Sequence, residues 1–127
     1  MSWLLLVEEH ALFREGLALL LKWRTGLDSV QSGSIAETRR ILGDAKEMPV
    51  CAVVDLDQPD GDGIELLERL RELPVVALVG DRSLERCVRA FEAGADKVLH
   101  KRESCEKIGN TVEQLVGVLR TRDFSSG

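Results

Sequence analysis

No stretch of this chain is long and apolar enough to span a membrane, and the opening MSWLLLVEEH meets two glutamates too early to form a signal-peptide core. A cytoplasmic protein without membrane attachment is expected. Basic excess is also missing, since 17 Lys and Arg against 22 Asp and Glu leave a net charge of −5, and such a domain carries no electrostatic footprint for nucleic acid. Contact with DNA would need another domain. The three cysteines, Cys51, Cys87 and Cys105, are odd in number, widely spaced and set within apolar or helical patterns, which speaks against a disulfide framework or a zinc motif. Buried reduced thiols are expected. Disorder-promoting bias is absent too, with 44% hydrophobic and 31% charged residues over 127 positions, a length that fits one domain with one core.

What is present is organised around Val50–Gly63, VCAVVDLDQPDGDG, where an apolar strand runs into Asp55 and a turn rich in proline, glycine and acids stops it. Before it, Trp3–Val7 reads as a strand buried on both faces and ends at Glu8 and Glu9. Phe13, Leu17, Leu20 and Leu21 then mark a helix over Leu12–Trp23, with Trp23 expected in the core. A weak strand, Ser29–Ser32, precedes a helix over Ile35–Gly43 that opens on the capping box Ser34-Ile-Ala-Glu37. After the central strand, the pattern predicts a helix over Ile64–Leu73, a strand Val75–Val79, a helix from the cap Ser83 through Ala93 closed by Gly94, a strand Lys97–His100 and a last helix from Ser104.

Strands alternating with helices across short loops imply an α/β fold, a doubly wound five-stranded parallel sheet of flavodoxin-like order 2-1-3-4-5 with helices on both faces. The switch point of that order lies between strands one and three, where Glu8, Glu9 and Asp55 would converge, with Lys101 on the rim. Like charges crowded in a crevice call for a positive partner, which Lys101 and a hard divalent cation such as Mg²⁺ can each supply. Phosphoryl transfer to Asp55 suits such a set, with Lys101 holding the phosphoryl charge. Arg86, Arg89, Glu92 and Lys97 read as a solvated face that can also serve a homodimer, and His10 and His100 as incidental.

The segments LLLVEEHALFREGLALLL, VVDLDQPDGDGIELL and AGADKVLHKRES together resemble the receiver domain of bacterial two-component response regulators, of CheY-like fold. HALFREGL is similar to the NarL/FixJ (LuxR-type) branch, whose receivers usually precede a DNA-binding domain. The resemblance implies a receiver over residues 1–120 with a linker or disordered tail over 121–127, phosphorylated by a sensor histidine kinase, relaying to a DNA-binding output domain missing here, and not an enzyme. It places the phospho-acceptor at Asp55 and the conserved-type lysine at Lys101. It gives Mg²⁺ to Glu8, Glu9, Asp55 and the backbone carbonyl of Asp57, with the second acid of the pair, Glu9, binding the metal directly. Three departures from the pattern stand out: the acidic pair is Glu8 and Glu9 rather than aspartates, Val79 stands where a threonine or serine is usual, and Val98 replaces the aromatic switch residue. The rival expectation is a pseudo-receiver that dimerises or senses a ligand without phosphorylation. A haloacid-dehalogenase-type phosphatase fits less well, because Pro59 takes the Thr place of its DxDxT motif.

Overall fold

Apolar strand runs and amphipathic runs alternate along the chain, and the computed structural model shows the sheet that this alternation implies. It describes residues 2–81 and 83–126, with side chains up to residue 117. The elements are β1 (Trp3–Val7), α1 (Ala11–Thr25), β2 (Asp28–Ser32), α2 (Ile35–Asp44), β3 (Cys51–Asp55), α3 (Ile64–Leu67), β4 (Val75–Val79), α4 (Leu84–Glu92), β5 (Lys97–His100) and α5 (Cys105–Ser126). A small antiparallel ladder between Asp57–Gln58 and Gly61–Asp62 shapes the loop after β3. All five main strands pair in parallel, in the order β2-β1-β3-β4-β5. The boundary expected between residues 120 and 121 lies outside the residues whose side chains are described.

Alternate residues of each strand feed opposite layers. Leu5, Val7, Ala52, Val54, Ala77 and Val79 pack under Ile35, Leu42, Leu66, Leu67 and Ala90, while Leu4, Leu6, Val53, Val76 and Leu78 meet Leu17 and Leu21 of α1 and Ile108, Val112 and Val116 of α5. Each such Leu or Val contributes about 1.5–3 kcal/mol when fully buried, whereas an exposed ion pair contributes at most about 1 kcal/mol. Stability therefore resides in these two layers.

Three expectations about the fold need correction. Trp23 is not in the core but 81% exposed, because α1 buries Leu17, Leu21 and Thr25 and turns Leu12, Leu19 and Trp23 to solvent. The third helix stops at Leu67 rather than Leu73, and from there Arg69, Leu70 and Leu73 each donate to the carbonyl three residues back. Tightened turns of this kind bury Leu70 and bring the chain to Pro74, which disfavours helical geometry at the residue before it. The cysteines are all free, but only Cys51 is buried, and burial pushes its thiol up to about 12.

The two serine caps accept as the sequence implies, but the capping box at α2 is half formed, because the Ser34 N–H turns to Ser32 Oγ at 3.5 Å. Ser34 accepts the N–H of Glu37 at 3.1 Å, and Ser83 accepts that of Arg86 at 3.3 Å. A second cap was not legible: the Asp60 carboxylate, in the loop after β3, accepts the N–H groups of Ile35 and Ala36 at 2.9 and 3.0 Å. That bond ties the loop following Asp55 to the start of α2.

Candidate functional site

Asp55 ends β3 with no exposed surface, opposite Leu78 of β4. Its Oδ1 accepts the N–H of Asp57 at 2.9 Å, while the Nζ of Lys101 lies 2.8 Å from Oδ2. Lys101 follows β5, and its backbone N–H donates to the Val79 carbonyl at 2.9 Å, so the tips of β3, β4 and β5 are drawn together. The side-chain amide of Gln58 donates to the Asp55 carbonyl and fixes the backbone there. Sequence reasoning did not anticipate that contact.

Glu8, just past β1, is buried against the same carboxylate. Its N–H donates to the Ser32 carbonyl at 2.9 Å and its carbonyl accepts Nη1 of Arg14 at 2.7 Å, so backbone bonds on both sides fix it. Its Oε1 accepts the N–H of His10 at 3.0 Å and faces His10 Nδ1, which gives His10 a role as its partner. Burial, and then the contact with Glu8, push the Asp55 carboxyl up to about 7 against the pull of Lys101 and the Asp57 amide. Burial acts on Glu8 as well, but bonds to Asp55 and His10 outweigh it and hold Glu8 below the usual range. Of the two acids, Asp55 is therefore the one whose protonated form the crevice favours.

The remaining predicted residues are placed unequally. Glu9 turns to the rim, its side chain 39% exposed and 3.8 Å from His10 Nε2. Asp57 projects its carboxylate over the crevice, 3.3 Å from Lys101 Nζ. Val79 is buried and Val98 half-buried, both packed in the layer under α4, so no hydroxyl or aromatic ring stands at either position. Among the described residues no three His, Cys, Asp or Glu side chains are grouped to hold a metal ion. Hard oxygen donors are nevertheless present, because two carboxylates forced into contact are a set that a divalent cation relieves.

Arg86 is the residue whose part the sequence concealed. Expected on a solvated face, it is mostly covered, with its guanidinium reaching from α4 to Asp57 at 3.1 Å, Asp62 at 3.2 Å and the Leu56 carbonyl at 3.4 Å. Burial opposes its charge, but Asp62 and then Asp57 raise its basicity further. No local signal reveals this, since the direction of a long side chain depends on which loop lies beneath it.

A doubly wound parallel sheet that buries a strand-end carboxylate between a lysine and a second acid defines a crevice of the kind open α/β proteins use for ligands. Comparison with known proteins makes the class specific. Residues 4–113 match the response regulator receiver domain, and the chain belongs to that family. It is 39% identical over 95 residues, 71% of this chain and 43% of the other, to the DNA-binding transcriptional activator DevR/DosR of Mycobacterium tuberculosis. A receiver domain protein from Methanospirillum hungatei superposes with a TM-score of 0.84 at 20% identity, covering 96% of this chain and 98% of that one. A response regulator from Burkholderia pseudomallei, whose structure holds a phosphorylated aspartic acid, a calcium ion and citrate, has a TM-score of 0.75 at 26% identity, covering 85% of this chain and 64% of that one. This chain spans about half the length of the curated relatives it matches. No helix among the described residues is long and apolar enough to cross a membrane.

Proposed function

We propose that Asp55 accepts a phosphoryl group from a sensor histidine kinase and that the chain passes this state to a DNA-binding output, as a cytoplasmic signal carrier rather than an enzyme. The observation that carries this reading is the buried Asp55 carboxylate with one oxygen on the Asp57 amide and the other on Lys101. Such fixation presents an oxygen lone pair along one direction and spares the reaction an orientational search. An Asp55 oxygen forms a bond to phosphorus as the P–N bond of a phosphohistidine breaks, and the imidazole leaves with that bond's electron pair. Lys101 remains beside the transferred oxygens as a fixed positive charge. Mg²⁺ held by Glu8, Asp55 and the Asp57 carbonyl, with Glu9 at the rim, would neutralise phosphoryl oxygens. A recess of about 250 Å³ lined by Glu8, His10, Phe13, Leu78 and Lys101 opens beside the acceptor on the α1 side. The HALFREGL stretch supports placement in the NarL/FixJ branch.

Treatment with a small phosphodonor and Mg²⁺ is expected to add the mass of one phosphoryl group to the wild-type chain and nothing to Asp55→Asn, read by intact-mass analysis. An unmodified wild type would favour the pseudo-receiver. Val79 and Val98 support that second reading, since a missing hydrogen bond to a charged group weakens coupling by about 1.5–3 kcal/mol.

A further inference from the structure

His100, at the end of β5, carries no chemistry in the sequence pattern, yet both nitrogens of its half-buried ring are engaged. Nδ1 accepts the Arg102 N–H at 3.0 Å, and Nε2 lies 3.1 Å from the Gly80 carbonyl oxygen. An amide N–H only donates and a carbonyl oxygen only accepts, so the two bonds together fit one form of the ring, the neutral tautomer with its proton on Nε2. A second proton would set an Nδ1–H against the Arg102 N–H. The residue that the ring spans is Lys101. Its own N–H donates to the Val79 carbonyl at 2.9 Å, and the Glu103 N–H closes the turn on the His100 carbonyl at 2.9 Å. The turn carrying Lys101 is thus clamped twice to the turn after β4, through Val79 and through the ring at Gly80. Gly80 is anchored in its turn, with its N–H taken by Asp57 Oδ2 at 3.2 Å. A four-carbon stem has many rotamers, so the direction fixed at its base decides which of them bring the ammonium to Asp55.

We propose that His100 is a positioning residue for Lys101: its neutral ring braces the Lys101 turn against the turn after β4, keeps the ammonium at Asp55, and gives up Arg102 when it takes a second proton. Histidine changes charge between about pH 5 and 8, which puts the brace within the physiological range. The charged groups about the ring are Lys101, Arg102 and Glu103 on its own loop, Lys107 of α5 paired with Glu103 at 3.3 Å, and Asp81 in the turn after β4, which accepts the Ser83 N–H at 2.9 Å. Beyond Gly80 stand Asp57 and Arg86 of α4, bound to each other. One hydrogen bond on a partly exposed loop is small beside the displacement of the Asp55 carboxyl, so its loss moves the crevice more than the stability of the fold. The brace stands on its own geometry, whereas its effect on phosphoryl transfer rests on the reading of Asp55 as acceptor.

The test uses the full ¹⁵N-labelled chain with His100→Asn and His100→Ala. Asparagine sets an amide oxygen near the place of Nδ1 and keeps the bond to the Arg102 N–H without titrating, whereas alanine removes both bonds. At pH 8 the ring nitrogens of His100 are expected to show the Nε2–H tautomer, and on acidification the Arg102 amide signal should move in step with the ring. A parallel arm treats the three proteins with acetyl phosphate and Mg²⁺ and follows intact mass. At pH 8 the asparagine variant keeps pace with wild type and the alanine variant is about fivefold slower, the worth of one hydrogen bond. At about pH 5.5 wild type falls about fivefold behind the asparagine variant, which a merely structural role would not produce. If the alanine variant does not fold, the asparagine comparison across pH decides. An Nδ1–H tautomer, or an Arg102 amide indifferent to the ring's titration, overturns the brace, and equal pH profiles for wild type and His100→Asn overturn its hold on Lys101. Absence of any mass gain in all three proteins removes the acceptor reading instead, and the tautomer and the Arg102 titration then decide the brace.

Discussion

Gly63→Ala is expected to lower stability by about 3 kcal/mol or to prevent folding, since overpacking against groups that cannot move reaches and exceeds that range. A Cβ at this position would lie 2.8 Å from the Leu56 Cα, 2.9 Å from the Asp55 carbonyl oxygen and 3.2 Å from the Leu56 carbonyl oxygen, all backbone atoms. None of them belongs to a flexible side-chain end. Gly63 also donates its N–H to the Leu56 carbonyl at 2.8 Å, so moving it away would break the bond that closes the loop. The strain would fall on the backbone of Asp55 itself. Gly16→Ala makes the contrast, because that position lies inside α1 with nothing within 4 Å of the added Cβ. It should stabilise by about 0.5–1 kcal/mol, the ordinary advantage of alanine over glycine within a helix. Urea unfolding followed by circular dichroism reads both, and similar midpoints for the two variants would contradict the prediction.

The metal-free domain should lose stability as the pH rises from about 4.5 to above 7. Asp55 carries its proton up to about 7 in the fold against 3.8 for the free group, so the folded state binds the extra proton between those values. A raised carboxyl contributes stability that is complete below its unfolded value and disappears as the pH passes the folded one. The shift corresponds to about 4 kcal/mol at most, reduced by the coupling to Glu8. Glu8 works in the opposite sense, but its depressed value changes stability only below its free value of 4.5, leaving the neutral range to Asp55. Asp55→Asn should therefore flatten the profile and melt higher than wild type at pH 8, with little difference near pH 4.5. Mg²⁺ should release a proton on binding and narrow the gap, because metal ligands must be deprotonated. Thermal melts in chelator across this range check the sign.

Elements with a strong local signal were legible in the sequence. Trp3–Val7 and Val75–Val79 read as strands to the residue, because unbroken apolar runs between a proline, a glycine and charged positions leave few alternatives. Asp55 and Lys101 were legible as partners, since parallel winding brings the carboxyl ends of strands to one edge. Asp57, read as a ligand through its carbonyl, adds a side-chain role that only the approach of Gly80 and Arg86 reveals. The resemblance gives the second acid, Glu9, the direct metal contact, yet backbone bonds on both sides of Glu8 bury Glu8 against Asp55 and leave Glu9 at the rim. Trp23 misled because Leu17, Leu21 and Thr25 already fill the buried face of α1, and the helix has more apolar positions than that face can hold.

The lack of tyrosine and the positions of the two tryptophans determine what this protein's own light emission can report. Trp3 sits at the start of β1 with its indole N–H on the Glu47 carbonyl at 3.0 Å, about 16 Å along the strand from the acid crevice. Trp23, in the last turns of α1, stands about 20 Å along the helix from His10 with its ring in water. Ultraviolet-excited fluorescence would follow denaturation through Trp3 and collisional quenchers through Trp23, while filling the crevice at Asp55 leaves both emitters undisturbed.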